Sequence, residues 1–359
     1  MGQSKVSSIV EQIKSSHSSG EALPLATHYD RDWYEVEKRN VFYDDWVFLC
    51  AEQELADPGE YLAQTIADEP IVVIRGKDGQ LRAMSNVCRH RASPLLDEGF
   101  GSVKSRVVCP FHAWTYDLEG NLFGVPHPGN VEIDKSEHCL PKFKLDSWHG
   151  LLFINISGTA PPLSEKLAGL YEFLEKHEVN VAQWTKAYRG YQPGVWNANW
   201  KLAFEISAEG YHHFGVHPET AEPTNKTKTW KALEGNANWS ALTSIAEYPD
   251  VPVRDQILVS ITPNMAALLT PERFDWQVVF PVGPERTSVR MAGMTHEEDM
   301  RDATDEWLGF TVPVFDEDRE FCERSHAAVR SEYGKGGQLV QMEQTLKHFH
   351  DYLLERVTD

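Results

Sequence analysis

The sequence predicts an α+β protein in which a small antiparallel β domain precedes a mixed sheet-and-helix domain. Three observations carry this. Residues 51–156 are dominated by short apolar or alternating runs cut by turn signals, such as Pro70-Ile71-Val72-Val73-Ile74-Arg75 before Gly76-Lys77-Asp78-Gly79. The run Gly158-Thr159-Ala160-Pro161-Pro162 reads as a boundary. Beyond it, helical periodicity alternates with long strand-like stretches.

Residues 1–20 are Ser-rich and read as a helix or a loosely held arm. Over 29–50, "YDRDWYEVEKRNVFYDDWVFLC", aromatic and apolar residues recur at helical spacing and then turn into a strand-like run. Trp114-Thr115-Tyr116-Asp117 before Glu119-Gly120-Asn121 repeats the strand-then-turn pattern, and 150–156 reads as a buried strand. Past the boundary, 163–178 and 199–217 read as helical, then 257–269, 274–281 and 286–295 as strands, with Gly283 and Pro284 in a turn. Helical periodicity returns over 316–333 and from 338 to the end. The expected division is an N-terminal helical segment, 1–40, packing on the second domain; a β domain, 41–157; and the second domain, 158–359.

Composition narrows the function. With 359 residues, 41% hydrophobic and 25% charged, the chain is long enough for two domains with real cores. A net charge of −20 opposes nucleic-acid binding and docking on anionic membranes. No apolar run approaches the roughly 20 residues of a membrane span. The N-terminus lacks a signal-peptide layout, and Val6 stands where a myristoylation motif needs Ser or Thr. The expectation is a cytoplasmic protein. Its five cysteines, an odd and sparse set, read as reduced thiols and metal ligands rather than a disulfide framework.

Cys88-Arg89-His90 and Cys109-Pro110-Phe111-His112 form the pattern C-x-H-x18-C-x2-H. Zinc sites usually pair like with like. Here each short pair holds one Cys and one His. Two facing loops of that kind can place both sulfurs on one iron and both nitrogens on the other, as a Rieske [2Fe–2S] cluster requires. Each pair follows a strand-like run (81–87 and 107–108), and Pro110 stiffens the second loop.

The segments "NVCRHRASPLLDEG" and "VVCPFHAWTYDLEGNL" resemble the two cluster-binding loops of the ring-hydroxylating and related Rieske oxygenases. "YDRDWYEVEKRNVFYDDW" and "PGEYLAQTIADEPIVVIRGKDG" resemble the segments that precede them. Ala92 departs from the family, which usually has Gly after the His-Arg pair; a small residue keeps the close packing. For the second domain the resemblance implies an antiparallel sheet covered by helices, helix-grip-like.

His212 and His217 make an H-x4-H pair. On a regular helix they fall about 140° apart, so a shared metal needs a π-type bulge or a helix that ends between them. Gly215 and Pro218 supply means for a break. By spacing alone the two rings could equally be core or surface residues. "NWKLAFEISAEGYHHFGVH" resembles the family's catalytic helix, whose two histidines at this spacing bind mononuclear Fe(II). Such sites add one carboxylate and keep positions open for O2. The segment "FTVPVFDEDREFCERSHAAVRSEY" offers Asp316, Glu317 and Asp318. Helical phase puts Asp318 with Val314, Phe321, Cys322, Ser325 and Val329 on the apolar stripe, where a carboxylate is costly unless paired or metal-bound. Asp318 also matches the family's ligand position. Asp316 and Glu317 read as acids favouring a helix N-terminus. His213 reads as non-ligating and pocket-lining, and His326 as packing.

Glu209, three residues before His212, can share its helix face; Glu205 is a weaker competitor. In the family an acid here bridges an iron-ligand His and a cluster-ligand His of the neighbouring subunit. Most members use Asp, while some acting on small quaternary amines use Glu. The resemblance therefore implies a homotrimer and a separate reductase or ferredoxin delivering electrons from NAD(P)H. It further implies that electrons would pass from the cluster through Glu209 to the iron, and that the reaction with O2 would be hydroxylation or oxidative demethylation of a small organic substrate. Seven tryptophans in the second domain, Trp184, Trp196, Trp200, Trp230, Trp239, Trp276 and Trp307, fit either a core or a cage for a quaternary ammonium group. An aromatic substrate is the other option. The rival functions are a Rieske electron-transfer protein without mononuclear iron, and a zinc-stabilised binding protein.

Overall fold

A computed structural model describes residues 2–192, 194–247, 253–270, 273–296 and 300–358. They form two compact units, Asp44–Ala160 and the combination of Met1–Tyr43 with Pro161–Asp359.

In the first unit the strands are β1 (Val47–Ala51), β2 (Glu60–Ile66), β3 (Glu69–Arg75), β4 (Leu81–Ser85), β5 (Gly99–Ser102), β6 (Val107–Val108), β7 (Thr115–Tyr116), β8 (Leu122–Gly124), β9 (Lys142–Trp148) and β10 (Leu151–Asn155). Seven of them make an antiparallel sheet in the order β1-β10-β9-β4-β3-β2-β5, and β6-β7-β8 make a small second one. Val72, Ile74, Met84, Leu95, Tyr116, Leu118 and Leu122 pack between them with Cys88 and Cys109. Burying each large side chain contributes about 1.5–3 kcal/mol. Asn155, fully buried, closes the unit: its amide donates to the Asp45 carbonyl (3.0 Å), and its oxygen accepts from Ala160 N (3.1 Å).

The second unit starts with helix α1 (Gly2–Ser19) and helix α2 (Arg31–Glu37), which runs into a π-helical turn, Lys38–Tyr43. Later come α3 (Leu163–Lys166), α4 (Leu170–Lys176), α5 (Trp200–Ser207), α6 (His213–Val216), α7 (Met300–Ala328) and α8 (Thr345–Thr358). Its strands are β11 (Lys186–Arg189), β12 (Gly194–Trp196), β13 (Lys231–Asn236), β14 (Trp239–Ala246), β15 (Arg254–Ile261), β16 (Met265–Leu269), β17 (Arg273–Pro281) and β18 (Thr287–Thr295). Among the described residues these form one antiparallel sheet, β11-β18-β17-β16-β15-β14-β13, with β12 also on β18. α5 packs on β17, and α8 on β13, β14 and α1.

Four expectations need correction. The strand at 257–269 is two, because Thr262-Pro263-Asn264 makes a hairpin that pairs Ile261 with Met265. The helix at 163–178 breaks at Gly169, whose φ of +80° suits glycine. The C-terminal helix begins at Thr345, not 338. The helix expected to start near 316 starts at Met300 and runs through Pro313, so Asp316 and Glu317 stand mid-helix rather than at an N-terminus. A dipole role for them is excluded, since that effect falls off within the first turn.

α5 is held from below. Glu37, with no exposed surface, accepts the indole N–H groups of Trp33 (2.6 Å) and Trp200 (3.0 Å) and pairs with the buried Lys201 ammonium (2.6 Å). Burial lowers the Lys201 pKa, and the Glu37 carboxylate works against that shift. Asn199 caps the helix by accepting from Lys201 N (3.0 Å).

Candidate metal centres

The two Cys/His loops of the first unit repeat one backbone pattern. Cys88 N donates to Ser93 O (2.9 Å), and its carbonyl accepts from Ala92 N (3.1 Å). Cys109 N likewise donates to Trp114 O (2.8 Å), and its carbonyl accepts from Ala113 N (3.0 Å). Both turns close through a left-handed residue, Ala92 at φ +54° and Ala113 at φ +56°. Position 92 thus has the backbone conformation that glycine adopts most readily.

Cys88 and Cys109 are buried, while His90 and His112 are exposed with ring centroids 4.8 Å apart. His90 stacks on Trp114 at 4.8 Å. Tyr116 OH lies 3.4 Å from Cys88 Sγ and accepts from Arg89 N (3.0 Å). Burial, then the contact with Cys88, raises the Tyr116 pKa, so the phenol stays protonated and can donate to a thiolate. Burial pushes the Cys88 thiol up. It also opposes ionisation of Cys109, but the backbone N–H groups of Phe111 and His112 bring that thiol below its ordinary value. Sulfurs inside and imidazoles at the surface suit a cluster with one thiolate-bound and one imidazole-bound iron.

His212, His217 and Asp318 each offer one ligand atom within 4.8 Å of the others. The region from 199 to 217 is not one helix. α5 ends at Ser207, Ala208 turns out of it at φ −102° and ψ 4°, and its carbonyl accepts from Thr345 Oγ1 (3.0 Å). His212 precedes the short helix α6, and His217 leaves it at φ −117° and ψ 43°. The break thus comes before the pair as well as at its end, which brings the ring centroids to 5.1 Å. Gly210 is required here, because a Cβ would lie 2.5 Å from the Trp230 ring.

His217 Nε2 and Asp318 Oδ1 are 2.9 Å apart, both buried and both without a hydrogen-bond partner. His212 Nε2 is 3.6 Å from the same oxygen. Orphaned buried polar atoms aimed at one point fit a metal ion, and two imidazoles with one carboxylate match a non-haem Fe(II) set. Burial works against charging His217, but Asp318 and then Glu317 raise its pKa above the ordinary value. A cation is favoured where that proton would sit.

The contact expected between Glu209 and His212 is present, but a loop makes it rather than a helix face. Glu209 Oε1 is 2.6 Å from His212 Nδ1, and Oε2 accepts from the backbone N–H groups of Tyr211 and of His212 (3.3 Å). Glu205 instead approaches His350 at 3.6 Å. His213 Nδ1 reaches Asn225 O (3.3 Å), and its ring packs edge-on to Trp230 (5.4 Å). His326 is buried and lies 3.4 Å from Glu285, so it does more than pack. Cys322 on α7 and Val329 just past its end are buried with Asp318, whereas Phe321, placed on that stripe by periodicity, is 47% exposed. Asp316 accepts from Tyr191 OH (2.9 Å).

Six of the seven tryptophans are buried, and the Trp307 side chain lies outside the described residues. Trp184 stacks on Phe274, Trp239 packs on Phe173, and Trp200 packs on Phe42 and Phe349, as core residues do. Trp230 packs beside His213. Glu317 and Tyr116 were not legible as site residues, because each is recruited by a contact distant in sequence.

Residues 45–144 match the Rieske [2Fe–2S] domain, and 176–359 match the catalytic domain of the ring-hydroxylating alpha subunit. The chain belongs to this ring-hydroxylating alpha-subunit family, whose domains imply a Rieske cluster and a mononuclear iron. It is similar to the glycine betaine monooxygenase oxygenase subunit of Chromohalobacter salexigens, with 34% identity over 59% of this chain and 45% of that one. It is also similar to the carnitine monooxygenase oxygenase subunit of Acinetobacter baumannii (33%, covering 61% and 58%). A third relative is the large subunit of 2-halobenzoate 1,2-dioxygenase from Burkholderia cepacia (31%, covering 52% and 42%). The chain thus spans about half the length of the curated relatives it matches. A quaternary ammonium Rieske monooxygenase solved with an inhibitor superposes with TM-score 0.82 at 25% identity, covering 94% of this chain and 95% of that one. Naphthalene 1,2-dioxygenase from Rhodococcus sp. shares the fold, with TM-score 0.79 at 19% identity and 98% coverage of both. Among the described residues no helix is long and apolar enough to cross a membrane.

Proposed function

We propose that this chain is the terminal oxygenase of a Rieske system, using O2 and electrons from NAD(P)H, delivered by a reductase or ferredoxin, to oxidise a small quaternary amine. The observation that carries it is the convergence of His212, His217 and Asp318 in a chain that also holds the Cys88/His90/Cys109/His112 loops. An electron carrier has no use for such a set. We assign the cluster to the 44–160 unit and the iron to the other. When bound, the cluster supplies single electrons, and the mononuclear iron supplies a centre with open positions for O2.

The protein's own groups prepare both. Tyr116 donates toward Cys88 and tunes the cluster, and burial of the sulfurs excludes water. Glu209 holds His212 by Nδ1, which leaves Nε2 for metal. The exposed rings of Tyr211, whose N–H bonds Glu209, and Phe214 pack on each other, and the exposed Phe111 lies against His112. These apolar surfaces suit approach of the cluster loops of one copy to the Glu209 loop of another, the arrangement a closed homotrimer provides. A cytoplasmic location accords with thiolate ligands kept reduced.

A quaternary amine is favoured over an aromatic acid by two features. The carnitine and glycine betaine enzymes are among the similar proteins, and a glutamate stands at 209. The test is metal and sulfide analysis, followed by O2 uptake with a matched reductase. We expect about three irons and about two labile sulfides per chain. We also expect NAD(P)H-dependent O2 uptake stimulated by a betaine and not by a benzoate. Reduction of the cluster without substrate-stimulated uptake would leave an electron carrier as the answer.

A further inference from the structure

We propose that Glu317 is a positioning residue for the iron, holding the His217 ring so that its Nε2 faces the metal. This rests on the reading of His212, His217 and Asp318 as the iron site. Glu317 Oε2 lies 2.6 Å from His217 Nδ1, and the same oxygen accepts from Thr220 Oγ1 at 2.6 Å. Thr220 follows His217 by three residues, so the carboxylate ties that turn to α7 and is itself fixed in direction. The next residue on α7 is Asp318, whose Oδ1 is 2.9 Å from the other ring nitrogen. One helix thereby grips both edges of one imidazole.

The chemistry follows from the ring. If Nδ1–H donates to Glu317, Nε2 must carry the lone pair that a metal needs. A carboxylate partner also makes the imidazole a stronger donor. His212 receives the same treatment from Glu209 at 2.6 Å. The two ligand histidines are therefore held by two carboxylates of separate origin, one from the local loop and one from a helix 100 residues away. Glu317 is half-buried on the helix surface, so replacing it leaves the core intact.

The test is Fe(II) titration of protein stripped of its mononuclear iron with the cluster retained, with Co(II) ligand-field spectra as a second readout. Glu317→Ala should weaken Fe(II) binding about 10–100-fold and alter the Co(II) spectrum. Glu317→Gln, whose amide oxygen still accepts from Nδ1, should recover part of that loss, and Thr220→Val should show a smaller one. If Glu317→Ala does not fold, the Gln and Val variants read the same effect. Wild-type affinity and spectrum in all the folded Glu317 and Thr220 variants overturn the proposal. His217→Ala separates the two levels. Its failure to reduce Fe(II) affinity would refute the site itself, whereas its loss of iron beside unchanged Glu317 variants would refute only the positioning role.

Discussion

The loops we propose for the cluster and the site we propose for the iron hold their donors by opposite means. Residues 88–93 and 109–114 each close a turn on themselves, with matching hydrogen bonds from the Cys backbone and an alanine at positive φ. Their geometry is written within each loop and needs only a small sheet beneath it. The donors we propose for the iron come from a loop between α5 and α6 and from the middle of α7, with His217 and Glu317 separated by 100 residues. Only packing brings them together, down to the buried Glu37–Lys201 pair that anchors α5. A locally built site tolerates change elsewhere in the fold; a site assembled across the fold inherits every weakness of its supports.

The sharpest way to break this contrast is to remove one donor at each site. Cys109→Ser should abolish the cluster spectrum and leave Fe(II) bound at the second site. His217→Ala should do the reverse, with turnover lost in both. EPR of the reduced protein and iron counting would show it, and joint loss in either variant would mean the sites are not independent. Next in size is Glu37→Ala, which strands Lys201 as a buried, unpaired charge at a cost of about 3–5 kcal/mol. Thermal melts should show helical signal lost earlier than in wild type, while cluster absorbance persists. Coincident loss of the two signals would contradict separate support.

Tyr116→Phe removes the hydrogen bond to Cys88 Sγ and should lower the cluster potential by about 40 mV, the one-electron equivalent of ~1 kcal/mol. Redox titration measures this, and the Co(II) spectrum of the iron site should not move. The smallest effect is expected from Ala92→Gly, which relieves a left-handed alanine and should stabilise the first unit by about 1 kcal/mol. Slower loss of cluster absorbance on heating is the readout. A faster loss would show that the alanine methyl contributes more by packing than it costs in backbone strain.

Legibility followed the same division. The mixed Cys/His pairs were readable because their meaning lies in spacing of one to three residues. Asp318 was readable because helical phase marks a carboxylate on a buried stripe, even though Phe321 on that stripe proved exposed. The start of α7 was misplaced by about four turns. The helix passes through Pro313 and reaches back to Met300. A helix starting near 316 would place Asp316 and Glu317 in its first turn, where acids favour the dipole. Glu317 in fact faces His217 and Thr220, and nothing in its neighbourhood along the chain announces such partners.

By itself, then, the sequence determined the two-part α+β plan, and it singled out the four donors proposed for the cluster and the three residues proposed for the second metal. Period and spacing are local quantities, and each of these follows from them or from a family pattern carried by them. Only the tertiary structure decided where α5 stops, how His212 and His217 turn toward one point, and which carboxylate holds each ring. Those features depend on side chains meeting across long chain separations, where packing and the burial of polar atoms, rather than local preference, select the conformation.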